Sequence, residues 1–271
     1  MAAPVAGTMG RGYTADSPSA KLRPMHFEPD LLEKLRAARH IAVFTGAGVS
    51  AESGIPTFRD AQTGLWAQFR AEDLATPEAF RRDPVTVWNW YAWRRKLIRE
   101  VNPNPAHLAI AQMEHLVEHV TVITQNVDGL HRRAGSSDVI ELHGNILDNI
   151  CSDCRQPIKD VDEDAAAPPV CPRCNGLVRP GVVWFGEALP EAAWARAAEV
   201  LECVDLFFCV GTSSLVEPAA SLPRHARSFG RTVIQINPAP TSHDEIAQYV
   251  LRGKAGEVLP ALVHAAWPTA V

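Results

Sequence analysis

A short apolar run followed by closely spaced glycines constrains this chain more than any other stretch. Residues 41–44 have the length and composition of a buried strand. One residue later comes Gly46-Ala47-Gly48-Val49-Ser50-Ala51, a Gly-x-Gly-x-x-Ala turn. Glycines let a backbone turn tightly and approach a pyrophosphate, and a following helix can bind the anion at its N-terminus. The spacing predicts a dinucleotide-binding turn, with an ordinary strand-to-helix turn as the alternative.

The residues after this turn depart from a simple strand–turn–helix unit. Gly54-Ile55-Pro56 interrupts the helix early, because a proline disfavours helical geometry at the residue before it. We therefore expect a long loop that carries Phe58 and Arg59. A loop of this kind can close over a bound cofactor.

The overall composition excludes several classes of protein. The chain has 271 residues, of which 46% are hydrophobic and 21% charged, as is usual for a soluble globular protein. Its net charge of −5 argues against a nucleic-acid-binding protein, which usually carries a basic excess. No apolar stretch approaches the roughly 18 residues of a membrane span. Residues 1–24 lack the apolar centre of a signal peptide and predict a flexible tail, with an organellar transit peptide as the alternative. These features predict a cytoplasmic protein with no membrane partner.

Apolar periodicity predicts alternating strands and helices. The predicted strands are 41–44, 120–124, 139–142, 182–185, 206–210 and 233–236, and the predicted helices are 27–39, 84–101, 106–118, 190–203, 217–229 and 255–266. Such alternation indicates an α/β protein, a Rossmann-like parallel sheet with helices on both faces. The helical stretch 60–101 and the cysteine-rich stretch 148–180 interrupt the pattern. We expect them to form a smaller inserted lobe, and 25–59, 102–147 and 181–271 to form the larger lobe.

Four of the six cysteines form a metal-binding pattern. Cys151-x-x-Cys154 and Cys171-x-x-Cys174 are separated by 16 residues, the spacing of a four-thiolate zinc ribbon. Four protein ligands leave no open position for water, so the predicted zinc is structural. Redox-active or free thiols and a nucleic-acid-binding ribbon are the alternatives, and the acidic residues between the pairs oppose the last of these. Cys203 and Cys209 have apolar neighbours in the sequence and are predicted to be core thiols.

Polar side chains follow two of the predicted strands. Asn126 and Asp128 come after strand 120–124, and His143 comes after strand 139–142. The carboxyl ends of parallel strands form the ligand crevice of an open α/β sheet, so these side chains are expected to converge near the glycine turn. Each of them alone is better explained as a turn residue or a structural histidine.

Taken in order, these motifs resemble those of the sirtuins, a family of NAD-dependent protein lysine deacylases. The similarity rests on the glycine turn with Ser53-Gly54-Ile55-Pro56-Thr57-Phe58-Arg59, on Thr124-Gln125-Asn126-Val127-Asp128, on His143-Gly144, on Gly211-Thr212-Ser213 and on Asn237-Pro238. It covers roughly residues 30–265.

The resemblance implies a reaction and a set of site residues. The acyl oxygen of an acylated lysine attacks the nicotinamide ribose of NAD, and nicotinamide and an O-acyl-ADP-ribose are released. His143 is implied as the general base, and Asn126 and Asp128 as catalytic residues that hold the ribose, water and the nicotinamide amide. The implied cofactor-binding residues are Gly46, Ala47, Gly48, Ser50, Phe58, Arg59, Gln125, Asn126, Asp128, Gly211, Thr212, Ser213, Asn237 and Ala255. Zinc takes no part in this chemistry.

Two further stretches resemble substrate-binding elements of the family. Tyr91 and Arg94 share one helix face, and Tyr-x-x-Arg marks the desuccinylase and demalonylase subclass. The alternative is an exposed arginine beside a half-buried tyrosine on an amphipathic helix. Val183, Phe185 and Glu187 lie in a segment that resembles the strand that pairs with a substrate peptide. The implied partners are acylated lysine side chains of proteins, with succinyl and malonyl groups preferred over acetyl. Mono-ADP-ribosyl transfer and an NAD-sensing zinc-ribbon interaction module are the competing functions.

Overall fold

A six-stranded sheet forms the centre of the larger lobe in a computed structural model, which describes residues 25–56 and 70–269. The strands are β1 (His40–Thr45), β2 (His119–Thr124), β3 (Val139–Glu141), β4 (Gly144–Cys151), β5 (Val178–Val182), β6 (Leu206–Val210), β7 (Thr232–Ile236) and β8 (Tyr249–Leu251). The helices of the described residues are α1 (Pro29–Ala37), α2 (Ala47–Ser50), α3 (Ala71–Leu74), α4 (Pro77–Arg82), α5 (Pro84–Glu100), α6 (Pro105–Met113), α7 (Leu130–Arg133), α8 (Glu191–Cys203), α9 (Leu222–Ser228) and α10 (Ala255–Ala266). None of these helices is long and apolar enough to cross a membrane.

The strand order places a ligand crevice at the centre of the sheet. The order is β3-β2-β1-β6-β7-β8, and every neighbouring pair is parallel. The chain proceeds from β1 outward to β3 on one side and from β6 outward to β8 on the other. The topological switch point therefore lies between β1 and β6, where such sheets bind ligands at their carboxyl ends. The predicted α/β fold class is confirmed.

Both faces of the sheet are covered by helices, as predicted. Along β1, Ile41 and Val43 join a core that includes residues of α1, α6 and α10. Ala42 and Phe44 point to the opposite face and join a core that includes residues of α8 and α9. A parallel sheet covered on both faces needs strands that are apolar on both sides, which explains the unbroken apolar run in the sequence.

A smaller lobe consists of α3, α4, α5, the β4–β5 hairpin and the cysteine-rich segment between its strands. The two strands pair antiparallel and form a separate sheet. Helix α5 starts where its sequence predicts, because the Asp83 carboxylate accepts the Thr86 amide proton at 3.0 Å and Pro84 occupies the first turn. The helix packs against the hairpin through Trp90, Tyr91 and Ile98, in a cluster that includes Trp184. The hairpin begins at Gly144 and ends at Val182, so both strands cross the predicted lobe boundaries, and the exact division stays a prediction.

Several predicted boundaries are wrong. The run 182–185 is the end of β5 followed by a turn, because Gly186 has φ +87° and the Glu187 amide bonds back to the Trp184 carbonyl at 3.0 Å. The predicted helix 106–118 ends at Met113. Strands β4 and β8 were not predicted.

The two remaining cysteines differ from each other. Cys209 is buried in β6, as predicted. Cys203 is exposed, and its sulfur lies 3.5 Å from Nδ1 of His40. The prediction of a core thiol at Cys203 is wrong, because Cys203 is the last residue of α8 and lies outside the buried face of that helix.

Candidate active site

The glycines after β1 are required because this turn packs directly on the loop after β6. The Gly48 amide donates to the Gly211 carbonyl at 2.9 Å. A Cβ atom at Gly48 would lie 2.7 Å from that carbonyl oxygen, and one at Gly46 would lie 2.9 Å from it. Gly211 itself has φ +60°, a left-handed conformation that favours glycine. The two loops that flank the switch point can therefore approach each other only without side chains.

Helix α2 is interrupted early, as predicted. It has four residues and continues into one 3-10 turn, which ends at Gly54 with φ +86°. Phe58 and Arg59 lie outside the described residues, so their role in covering the cofactor stays a prediction.

A cavity of about 630 Å³ opens at the carboxyl end of the sheet. Its walls come from the larger lobe on one side and from α5 and residues 182–187 on the other. The predicted cofactor-binding residues that line it are Gly46, Ala47, Gly48, Ser50, Gln125, Asn126, Asp128, Gly211, Thr212, Ser213 and Asn237. The predicted catalytic and substrate-binding residues that line it are His143, Tyr91, Arg94, Val183, Phe185 and Glu187. Ala255 is buried at the start of α10 and is not among the described residues that line the cavity.

Ser50 connects Asn126 and Asp128 at the base of the cavity. Its hydroxyl donates to Oδ2 of Asp128 at 2.8 Å and accepts from Nδ2 of Asn126 at 3.0 Å. The Leu130 amide donates to Oδ1 of Asp128 at 2.9 Å. Burial raises the pKa of Asp128, and the bonds from Leu130 and Ser50 oppose that shift. The arrangement holds both polar side chains in defined orientations beside the glycine turn.

A residue that the sequence analysis missed supports this serine. His107 lies at the third position of α6, where its Nδ1 accepts the Asn104 amide proton at 3.3 Å. Since Nδ1 is an acceptor, the neutral ring carries its proton on Nε2, which lies 3.4 Å from the Ser50 hydroxyl. Burial lowers the pKa of His107 to about 4, so the ring is neutral at neutral pH. An asparagine three residues before a histidine at a helix start was the available signal.

His143 has the tautomer that a general base requires. It lies between β3 and β4, and its Nδ1 is 2.9 Å from the carbonyl oxygen of Gln125. A carbonyl only accepts, so Nδ1 carries the proton and Nε2 holds the lone pair. Burial lowers the pKa of His143, and the bond to Gln125 opposes this shift. The ring is therefore neutral at neutral pH, and its Nε2 can accept a proton.

Tyr91 and Arg94 are both buried in the cavity wall formed by α5. The Arg94 guanidinium carbon lies 5.0 Å from the ring centre of Trp90. Burial lowers the pKa of Arg94, whereas Tyr91 and Asp128 oppose that shift. The alternative of an exposed arginine beside a half-buried tyrosine is wrong. A buried guanidinium beside a phenol is suited to bind a carboxylate.

The segment 183–187 borders the mouth of the cavity, and several of its backbone amides already donate hydrogen bonds to other groups of this chain. The Val183 amide donates to the His143 carbonyl at 2.8 Å, and the Phe185 amide donates to the Ala75 carbonyl at 2.9 Å. The Glu187 carboxylate accepts the Trp184 amide proton at 2.9 Å. An added peptide strand would therefore have to pair with other backbone groups of this segment.

The four predicted zinc ligands come together at the tip of the smaller lobe. The sulfur atoms of Cys151, Cys154, Cys171 and Cys174 all lie within 4.8 Å of one another. The Cys151–Cys174 and Cys154–Cys171 separations are 3.4 and 3.9 Å. A zinc tetrahedron with bonds of roughly 2.3 Å requires sulfurs about 3.8 Å apart, so the cluster fits one structural zinc ion.

Fold and site together define a doubly wound α/β protein with a nucleotide crevice and an appended zinc lobe. The family model of the Sir2 family matches residues 46–218. This chain belongs to the Sir2 family.

Relatives match nearly the whole chain. The NAD-dependent protein deacylase of Methylococcus capsulatus is 54% identical over 249 residues, which cover 89% of this chain and 98% of the relative. The NAD-dependent protein deacylase of Pyrococcus furiosus is 52% identical over 240 residues, covering 86% and 96%. A crystal structure of a Sir2 homologue in complex with NAD is 44% identical, covers 91% of this chain and 96% of its own, and superimposes with a TM-score of 0.84.

Proposed function

We propose that this chain is an NAD-dependent protein lysine deacylase that prefers succinyl and malonyl groups and removes acetyl groups more weakly. One observation carries the proposal. A single cavity brings together the glycine turn, the His143, Asn126 and Asp128 group, and the buried Tyr91–Arg94 pair. The relatives described above are named NAD-dependent protein deacylases.

NAD would supply the ribose carbon that the acyl oxygen of the substrate attacks, with release of nicotinamide and an O-acyl-ADP-ribose. The glycine turn and the loop 211–213 would bind its phosphates, since both loops line the cavity and their glycines let the two backbones lie side by side there. Asn237 donates to the Thr212 carbonyl at 2.7 Å, which holds this loop against the end of β7.

His143 would take a proton from a ribose hydroxyl. Its Nδ1–H is held by the Gln125 carbonyl, so Nε2 carries the lone pair that would accept this proton. Asn126 and Asp128 would bind the ribose, a water molecule and the nicotinamide amide, because Ser50 already fixes the orientation of both. Preorganised polar groups of this kind stabilise developing charge without reorganising during the reaction.

Arg94 supports the preference for acidic acyl groups. A carboxylate that enters a buried pocket without a partner costs several kcal/mol, and a guanidinium offsets that cost through charge-assisted hydrogen bonds. Tyr91 lies one helical turn away and offers a hydroxyl. Acetyl-lysine carries no charge and gains nothing from either group.

Arg94→Met tests this preference. We expect kcat/KM for a succinyl-lysine peptide to fall by about 100-fold, or about 3 kcal/mol of transition-state binding, and the acetyl-lysine value to stay level or rise. Lys96→Met, an exposed position on the same helix, is the matched control. An equal fall for both substrates would assign Arg94 to the fold or to cofactor binding instead.

Nicotinamide release separates the competing functions. The full-length protein is incubated with NAD and an acyl-lysine peptide, and nicotinamide, deacylated peptide and ADP-ribosylated peptide are measured by mass spectrometry. Release of nicotinamide together with deacylated peptide supports the deacylase. ADP-ribosylated peptide would indicate mono-ADP-ribosyl transfer, and no nicotinamide would indicate an NAD-sensing interaction module.

A further inference from the structure

The hydroxyl of Tyr91 is oriented by a second residue. Nε1 of Trp184 lies 2.9 Å from the Tyr91 oxygen, and both side chains are buried. An indole N–H can only donate, so the phenol oxygen accepts this bond. The one hydrogen of the phenol must then point away from the indole. Burial raises the pKa of Tyr91 to about 12, so that hydrogen stays in place at neutral pH.

The indole itself has little freedom to move. The guanidinium carbon of Arg179 lies 3.2 Å from the ring centre of Trp184, and the ring of Phe80 lies 5.3 Å from it. Trp184 is only 2% exposed. A cation stacked on one part of the ring and an aromatic contact on another restrict the indole to one orientation.

An ion pair with a half-buried carboxylate holds the stacked arginine. Arg179 donates to both carboxylate oxygens of Glu187, at 2.7 and 2.9 Å, and to the Val182 carbonyl at 2.7 Å. The same carboxylate accepts the Trp184 amide proton. Glu187, which the sequence analysis assigned to substrate binding, thus fixes both the backbone of Trp184 and the cation that stacks on its ring.

We infer that Trp184 is a positioning residue for acyl selection, because its indole N–H occupies one side of the Tyr91 oxygen and directs the Tyr91 hydrogen toward the cavity. This inference rests on the proposed preference for acidic acyl groups. A hydroxyl that already accepts a hydrogen bond is also a stronger donor. A carboxylate beside Arg94 would meet that hydrogen, whereas an acetyl methyl group would not use it.

A double-mutant cycle between Trp184→Phe and Tyr91→Phe tests the coupling. The readout is the ratio of kcat/KM for succinyl-lysine and acetyl-lysine peptides, so a general loss of activity cancels. We expect Trp184→Phe to lower this ratio about fivefold in the wild-type background, as for the loss of one neutral hydrogen bond. In the Tyr91→Phe background we expect a change below twofold.

A second substitution at position 184 distinguishes loss of the hydrogen bond from misfolding of Trp184→Phe. Benzothienylalanine, introduced at position 184 by amber suppression, keeps the bicyclic ring and replaces the N–H with sulfur. It should lower the ratio to the same extent, with an unchanged melting temperature.

Each contrary result would overturn a different part of the argument for Trp184. A wild-type protein that does not prefer the succinyl peptide would overturn the proposed acyl preference, and the role of Trp184 with it. A wild-type preference that survives both substitutions at 184 would overturn only the role of Trp184. An equal fall of the ratio in the Tyr91→Phe background would show that Trp184 acts through another residue.

Discussion

The larger lobe and the smaller lobe are stabilised by different interactions. In the larger lobe, a six-stranded parallel sheet lies between two apolar cores, and β1 alone contributes Ile41 and Val43 to one core and Ala42 and Phe44 to the other. Among the described residues, the smaller lobe has a two-stranded sheet and one apolar cluster around α5. A lobe of this size buries little apolar surface and needs additional constraints.

Those constraints are a metal site and buried arginines. The cysteine cluster joins the two ends of the segment between β4 and β5. Arg95 is fully buried and donates to the Ile146 carbonyl at 2.6 Å and to the Asn149 side chain at 2.8 Å. Interactions of this kind depend on single atoms, whereas an apolar core distributes its stabilisation over many side chains. Single substitutions at these atoms should therefore destabilise the smaller lobe more than single substitutions in an apolar core destabilise the larger lobe.

Loss of zinc is the largest expected effect. Structural zinc contributes roughly 10–16 kcal/mol of apparent binding free energy in zinc-finger peptides. Cys171→Ser should therefore lose the metal and unfold the smaller lobe while the larger lobe keeps its secondary structure. Metal analysis, circular dichroism and limited proteolysis measure this, with the exposed non-ligand change Cys203→Ser as the control. Full zinc content in Cys171→Ser would contradict the assignment.

Removal of the base is the next largest effect. His143 lies where the lobes meet, between β3 and β4. His143→Ala should lower the deacylation rate by about 10²–10⁴-fold, since that is the usual contribution of a general base. NAD affinity, measured by calorimetry, should stay close to the wild-type value. The exposed His119→Ala, at the amino end of β2, is the matched control. Near-normal turnover in His143→Ala would remove His143 from this role.

Helix α5 carries one buried and one half-exposed arginine, so the effect of burial can be compared within the same lobe. Arg95 is buried and Arg99 is half-exposed, and both lie near the Glu163 carboxylate. Arg95→Met should cost about 3–5 kcal/mol of unfolding free energy, because it leaves buried acceptors without a donor. Arg99→Met should cost less than about 1 kcal/mol. Urea unfolding measures both, and equal values would contradict the importance of burial.

The larger lobe should respond to acid through buried histidines. Burial lowers the pKa of His107 to about 4 and that of His131 to about 3, against an ordinary value near 6.5. The unfolded chain therefore binds protons that the folded chain excludes. Their contribution to stability is complete above pH 6.5 and is lost as the pH falls toward 4, at about 1.4 kcal/mol per pH unit for each histidine.

His107→Gln tests this dependence. Between pH 7 and pH 5 the wild-type protein should lose about 2 kcal/mol more unfolding free energy than the variant, measured in urea with zinc present. His225→Gln, at an exposed position of α9, is the matched control. A wild-type pH dependence in His107→Gln would show that this ring is not kept neutral by the fold.

Much of the fold and part of the site could be predicted because their signals are local. Strand β6 and helix α10 were predicted at their observed ends, since apolar periodicity acts within a few residues. The predicted ends of other strands and helices were wrong where a turn interrupts the periodic apolar pattern. Residues 182–185 are apolar enough for a strand, but the Glu187 carboxylate bonds to the Trp184 amide and forms a turn.

By itself the sequence determined the glycine turn, the four-cysteine pattern and the strand–helix order, because each of these is a spacing along the chain. Only the tertiary structure decided that Trp184 donates to Tyr91, 93 residues away, and that Ser50 donates to Asp128, 78 residues away. Such hydrogen bonds depend on how α5 packs against the β4–β5 hairpin and how the loop after β1 meets the loop after β2. That packing is a collective result of the apolar cores, and no local pattern specifies which polar atoms it brings into contact.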